Sequence, residues 1–370
     1  MVIIVVFIIA VFGTILINRL LLVFSKNLGT RGNENIQVRW ANTSKPSLGG
    51  FAFYIVFIGI IAVIGLMEYD FWIFSKKQLL GVFIAITFGF GIGFADDTYN
   101  TNPKLKAFGQ LICALILYLF DIQIQLFQDS FLLNFFLTTF WVVGLMNSIN
   151  MLDNMDGITS GNSILILSTF IIITALCFKT DFNALLILIA IIGSLIGFLY
   201  HNWFPSKIYM GDAGSQFLGI FLAIYSIPLL WNNSVFNASI ISKFLIPVVV
   251  FIVPIIDTIT VIFYRLKKGS SPFIGGADHT THHLVYFGFS ERQVFLFFTV
   301  INFITLNFIT YISFFSKLDI QYQLIIAIYA LIVVTIIETM YFKGKFNPQK
   351  KKKNNTKDRT SIFEKIFLKN

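Results

Sequence analysis

Phe131-Leu-Leu-Asn-Phe-Phe-Leu-Thr-Thr-Phe-Trp-Val-Val-Gly-Leu-Met-Asn147-Ser-Ile-Asn150-Met-Leu-Asp153-Asn154-Met-Asp156-Gly157 is an apolar run that ends in three carboxamides and two carboxylates. Its first part is long enough to cross a bilayer, because about 20 apolar residues in a helix span the hydrocarbon core. A charged side chain at mid-membrane costs about 2.5–3.5 kcal/mol on insertion scales, so acids at the mouth of such a helix point to function. Asp153 and Asp156 are three apart and share a face if the helix persists past them. Gly157 marks its stop.

The rest of the chain has the same character. Of 370 residues, 56% are hydrophobic and only 12% charged, about half the charge of a soluble domain. The chain is an integral membrane protein, and soluble enzyme or nucleic-acid-binding classes are excluded. Met1 to Phe24 lacks the basic start and small-residue cleavage site of a signal peptide and reads as a retained first span. Cys113 and Cys177 lie inside apolar runs and read as buried small hydrophobes, with no disulfide framework.

Apolar runs of spanning length fall near 2–24, 50–67, 78–95, 107–127, 131–151, 163–178, 183–200, 214–231, 240–264, 294–315 and 321–342. Backbone groups must be satisfied internally in lipid, so these runs are helices. The expected fold is an all-α polytopic membrane protein with about eleven transmembrane helices. Its active site is built from inter-helix loops at the cytoplasmic face. Residues 1–342 form the membrane domain and 343–370 a basic cytoplasmic tail.

The basic residues decide that orientation. Lys26, Arg31, Arg39 and Lys45 follow the first span, Lys104 and Lys106 the third, Lys207 the seventh, and Arg265, Lys267, Lys268 and Arg292 the ninth. The tail adds a lysine run, whereas the opposite side holds Lys76, Lys77, Lys179, Lys243 and Lys317. Positive charge stays inside, which places the N-terminus outside and the polar loops in the cytoplasm. The end of the tail, Ile362 to Leu368, reads either as solvated or as a short amphipathic helix on an anionic leaflet.

Five carboxylates, Asp96, Asp97, Asp153, Asp156 and Asp212, fall on that one side. Carboxylate and amide oxygens suit magnesium, which takes one or two carboxylates and fills its shell with water and substrate phosphates. Manganese is the natural substitute. Lys45 and Lys207, with turns at Gly49-Gly50 and Met210-Gly211-Asp212-Ala213-Gly214, supply what phosphates need: point charge and exposed N–H groups at a helix start. His279, His282 and His283 crowd one loop and read as a cation cluster that grips a diphosphate. Asp257, two turns before Arg265, is either a structural partner or a deep site residue. These groups point to phosphoryl chemistry between a nucleotide-activated donor and a lipid-borne acceptor.

Four stretches together resemble the polyprenyl-phosphate N-acetylhexosamine-1-phosphate transferases, whose superfamily includes phospho-N-acetylmuramoyl-pentapeptide transferase. They are Lys45-Pro-Ser-Leu-Gly-Gly50, Phe94-Ala-Asp-Asp-Thr98, Asn147 to Gly157, and Asn202-Trp-Phe-Pro-Ser-Lys-Ile-Tyr-Met-Gly-Asp-Ala-Gly-Ser215. The resemblance implies transfer of a sugar-1-phosphate from a UDP-N-acetylhexosamine to undecaprenyl phosphate in the bacterial cytoplasmic membrane, with UMP released.

It implies that Asp212, with Asp153, binds the metal and that Asp96 and Asp97 activate or position the lipid phosphate. Asp153, Asp156 and Asn150 would serve nucleotide and metal. Lys45, Asn202, Lys207 and the three histidines complete the substrate-binding set. A homodimer is compatible with it. Two features depart from the family pattern. Asn154 stands where relatives often carry glycine, which makes it the expected left-handed residue of the turn. The histidine loop lacks three adjacent histidines, which favours the N-acetylglucosamine branch over the muramoyl-pentapeptide one. A transporter of anionic metabolites is the alternative from another class; it predicts polar sites on both membrane faces.

Overall fold

The computed structural model describes residues 1–27, 45–66, 73–127, 130–178, 181–234, 239–271, 276, 278–315 and 320–345. Arg31, Arg39, Lys179, Gly275, Ala277, Lys317 and the tail from residue 346 onward, with its Ile362–Leu368 segment, lie outside the described residues. Among the described residues the regular structure is entirely helical. The helices are α1 (Val2–Asn27), α2 (Gly49–Leu66), α3 (Lys76–Tyr99), α4 (Pro103–Leu119), α5 (Phe131–Leu152), α6 (Ile158–Cys177) and α7 (Phe182–Asn202). Then come α8 (Gly211–Ser226), prolonged by a π-helical turn (Ile227–Trp231), α9 (Ile240–Val250), α10 (Ile252–Lys267), α11 (Thr280–Phe287), α12 (Glu291–Phe315) and α13 (Ile320–Lys345).

Nine of these helices are long and apolar enough to cross a membrane, or ten if α9 and α10, bent by 85° at their junction, count as one broken span rather than a re-entrant loop. Two expected spans therefore differ from the structure. The run at 240–264 breaks at Phe251 between α9 and α10, because Pro254 in the first turn of α10 cannot donate to the turn before it.

The run at 107–127 is helical only to Leu119, giving a helix of 17 residues, or about 25 Å. Asp121 then turns left-handed at φ 60. Ile122, Ile124 and Leu126 are buried and alternate with Asp121, Gln123 and Gln125, which are not, the period-two signature of extended chain. Side chains satisfy its backbone donors: Ile124 N–H bonds Thr138 Oγ1 at 2.9 Å and Gln125 N–H bonds Asn232 Oδ1 at 2.8 Å. Helix α13 runs to Lys345, three residues past the expected end of the membrane domain at 342.

Every residue of α8 is buried; it is the axis of the bundle. It packs against α2, α3 and α5. Gly50 of α2 and Gly214 of α8 meet so closely that a Cβ on either would strike the other's backbone, the small-residue contact that lets membrane helices approach. Phe53 and Phe57 of α2 pack on Phe217 and Phe221 of α8, and Phe221 stacks on Tyr225 at 4.6 Å. This frame brings the ends of α3, α5 and α7 and the starts of α2, α4, α6 and α8 to one end of the bundle.

Candidate active site

Gly211 opens α8 at φ 76, and a Cβ there would stand 2.7 Å from the Ser47 carbonyl oxygen and 2.8 Å from Asp97 Oδ2. Only glycine fits. The turn leaves the first N–H groups of α8 pointing at Asp97, whose Oδ1 accepts from Asp212 N–H at 3.0 Å and Oδ2 from Ala213 N–H at 2.8 Å. A carboxylate is the natural cap for the positive end of a helix. Asp97 thus fixes where α8 begins and where Asp212 stands.

Beside it, Lys106 lies between two acids. Its Nζ is 2.8 Å from Asp96 Oδ2, 3.1 Å from Asp212 Oδ2 and 3.4 Å from Asn150 Oδ1. Asn150 Nδ2 donates to Asp212 Oδ1 at 2.7 Å and to Ser215 Oγ at 2.8 Å. Thr101 holds the other Asp96 oxygen through N–H at 2.9 Å and Oγ1 at 2.7 Å. Helices α3, α4, α5 and α8 each contribute one charged or amide group. Below them Asn147, Gln110 and Gln216 form a carboxamide relay at 2.8–3.2 Å.

Lys106 is the member that motif reading passed over as a loop charge. Its signal is the local start of α4. Asn102 caps the helix by accepting from Lys104 N–H, and Pro103 occupies N1, which puts Lys106 in the first turn facing back toward Asp96.

A second group surrounds the α5–α6 turn. Ser206 donates to Asp156 through N–H and Oγ, both at 2.8 Å, and Lys45 Nζ donates to Ser206 Oγ at 3.0 Å, 3.8 Å from Asp156 itself. Asn202 accepts from Gly157 N–H and donates to the Ile208 carbonyl, each at 2.9 Å; it clamps two loops by their backbones. Lys207 is exposed beside them.

Asp153 and Asp156 do not share a helix face. Helix α5 ends at Leu152, and Asp153 caps it at φ −75, ψ 50, because the Leu152 carbonyl is taken by the tight turn to Asn154 N–H at 2.8 Å. Nor is Asn154 left-handed: Gly157, at φ 76, takes that conformation. Oxygens of Asp96, Asp212 and Asn150 surround Lys106.

The histidines are organised from below. Asp257 is buried in α10, and its Oδ2 pairs with His279 Nδ1 at 2.9 Å. Its Oδ1 accepts from Thr280 N–H at 2.8 Å and Thr280 Oγ1 at 2.6 Å. Asp257 is therefore both the cap of α11 and the orienting partner of His279. Arg265 makes a two-pronged contact with Asp278 at 2.9 and 2.7 Å. Against burial, which raises it, that guanidinium holds the Asp278 carboxyl below its ordinary value.

His282 is buried, and burial, reinforced by the neighbouring His279, pushes it down to about 3. His283 packs against the Tyr341 ring at 3.9 Å. The trio is therefore not a cluster of three cations: His282 is neutral at physiological pH.

Among the described residues no three His, Cys, Asp or Glu side chains converge as a metal cage. The donor chemistry around Lys106 nevertheless fits magnesium. Two carboxylates and a carboxamide oxygen face a position now filled by an ammonium, and magnesium needs little more from protein when phosphates complete its shell.

The sequence has relatives among known membrane enzymes. Residues 79–230 match the family model described as Glycosyl transferase family 4. The chain is 32% identical over 269 residues to a probable undecaprenyl-phosphate N-acetylglucosaminyl 1-phosphate transferase of Bacillus subtilis, covering 70% of this chain and 71% of that one. It is 31% identical over 218 residues to the phospho-N-acetylmuramoyl-pentapeptide-transferase of Streptococcus sanguinis, covering 54% of this chain and 65% of the relative. The enzyme of that name from Streptococcus gordonii is 29% identical over 281 residues, covering 71% and 81%.

A multi-pass helical bundle with acids, a lysine and a capped helix start gathered at one end is thus a membrane transferase. More narrowly, the chain belongs to the polyprenyl-phosphate N-acetylhexosamine-1-phosphate transferase family. That membership retires the transporter alternative.

Proposed function

We propose that the protein transfers N-acetylglucosamine-1-phosphate from its UDP-sugar to undecaprenyl phosphate, releasing UMP and starting a lipid-linked envelope glycan. The observation that carries the proposal is Lys106 held between Asp96 and Asp212 at the start of α8. This is a preformed seat for one cation among anions, at the point where two phosphorylated substrates would meet. The Bacillus subtilis relative, 32% identical over 70% of this chain against 29% over 71% for the Streptococcus gordonii enzyme, supports the choice of sugar. The lysine-rich ends of α10 and α13 support a cytoplasmic face for the site in the bacterial inner membrane.

In this reading a lipid-phosphate oxygen forms the new bond to the donor's β-phosphorus. The bond from that phosphorus to the α–β bridging oxygen breaks, and its electrons leave with UMP. Lys106 neutralises the converging phosphates, while Asp96 and Asn150 hold it and Asp212 in place. Lys45, steadied by Ser206 and Asp156, and His279, steadied by Asp257, take the donor's phosphates. Once the Lys106 ammonium turns from these oxygens to a phosphate, Asp96, Asp212 and Asn150 would hold magnesium, which would supply charge for the leaving UMP. Both oxygens of Asp97 are spent on backbone N–H groups, and the lipid phosphate is already ionised. One direct displacement therefore suits the site better than a covalent aspartyl intermediate.

The test is incubation of purified protein with undecaprenyl phosphate, magnesium and UDP-N-acetylglucosamine labelled in the sugar. Label in the lipid fraction with stoichiometric UMP is the expected result. Label entering only from the muramoyl-pentapeptide nucleotide would move the protein to that branch. Transfer from no UDP-sugar by folded protein would refute the proposal.

A further inference from the structure

Asn154 and Thr281 join two loops that are remote in sequence. Thr281 Oγ1, fully buried, donates to Asn154 Oδ1 at 2.6 Å. The amide nitrogen of Asn154 donates to the Met151 carbonyl at 2.9 Å, so the carboxamide is gripped on both sides and its orientation is fixed. The neighbouring Thr280 is tied the other way, to Asp257. The first turn of α11 is thus bolted to α10 by one threonine and to the α5–α6 turn by the next.

From Asn154 the turn leads in two residues to Asp156, and on to Ser206 and Lys45. A continuous path of short hydrogen bonds and a single turn therefore separates Lys45 from His279. These groups come from loops that share no regular element. The Lys106 centre is built from other contacts, to Asp96, Asp212 and Asn150, and stands outside this path.

We propose that the Asn154–Thr281 contact is a latch that sets the spacing of the donor-binding side of the site, which makes Asn154 and Thr281 positioning residues for the nucleotide-sugar. The inference rests on the functional reading above for the identity of the ligand. A diphosphate gripped by a lysine on one loop and a histidine on another feels any slack between the loops, whereas the acceptor's phosphate, met at the Lys106 centre, does not. The latch also leaves no choice of partner. Without Asn154 the buried Thr281 hydroxyl is orphaned, so the start of α11 shifts to find another acceptor.

The experiment compares Asn154→Ala, Thr281→Val and the double variant with the parent in full-length protein. KM for the donor should rise about three- to tenfold, the worth of one partly buried neutral hydrogen bond. KM for undecaprenyl phosphate and kcat should hold, Thr281→Ser should restore the parent's value, and the double variant should be no worse than the poorer single one. An unchanged donor KM, or donor and acceptor KM rising together, overturns the latch.

Hydrogen exchange across residues 152–158 and 279–284 needs no turnover and gives an independent readout. Faster exchange in Thr281→Val at both segments supports the latch, and unchanged exchange overturns it. A parent that transfers from no UDP-sugar would refute the functional reading, with exchange still deciding whether the two loops are coupled.

Discussion

Around Lys106, an ammonium is set between two carboxylates, 2.8 Å from Asp96 and 3.1 Å from Asp212. Around His282, burial strips the charge away and holds the imidazole down to about 3. The two regions sit at the same end of one bundle, yet one gathers ionisable groups of opposite sign and the other buries an imidazole. The difference lies in what the fold supplies. Four helices each bring one polar group to the first, and the capped start of α8 adds two N–H groups. The second is a single short helix beside a buried acid, Asp257, that is already shared between His279 and Thr280. On the proposed function, Lys106 and its acids supply the charge and the histidine helix supplies oriented hydrogen bonding.

That contrast is open to direct attack. Replacing Lys106 by Met should lower UMP release about 10²- to 10³-fold, the usual effect of removing one preorganised stabilising group. A loss of only a few fold would mean that the ammonium is structural. Asp257→Asn should cost about 10- to 100-fold, the range seen when an orienting partner is removed from a functional histidine. A loss of less than about twofold would make Asp257 a cap alone.

Ser206→Ala, which unseats Lys45 from Asp156, should raise the donor KM about three- to tenfold while sparing the acceptor. The smallest effect is expected at His282. Its folded value lies below the unfolded 6.5, so the unfolded state takes up the proton first. The stability it contributes is complete above pH 6.5 and drains away as pH falls toward 3. Thermal melts at about pH 7 and about pH 5 should therefore differ more in the parent than in His282→Gln. Equal differences would place a charged imidazole in the core.

Much of this was legible in the residues themselves. Apolar run length pointed to the membrane bundle, and the acids at the end of α3 and the start of α8 meet at Lys106. What sequence patterns missed were residues whose role depends on a neighbour far along the chain. Lys106 looks like a loop charge until α4 folds its first turn against Asp96 and Asp212. Ser206 lies inside a motif stretch but has no assigned role until Asp156 receives its two donors. Thr281 carries no sequence signal of its own, yet it ties the histidine helix to Asn154.

The histidines misled for the opposite reason. Their count suggested positive charge, but burial decides protonation and burial is a tertiary property. The segment after Leu119 was read for its apolar content, while its alternation carried the correct signal.

The central claim is that phosphoryl transfer takes place at the Asp212–Lys106–Asp96 centre. Its most direct test is the rate of UMP release from UDP-N-acetylglucosamine and undecaprenyl phosphate by Asp212→Asn, against parent protein of matched melting temperature. The account predicts a fall of at least about 10³-fold. Turnover within about tenfold of the parent would contradict it and move the chemistry away from the start of α8.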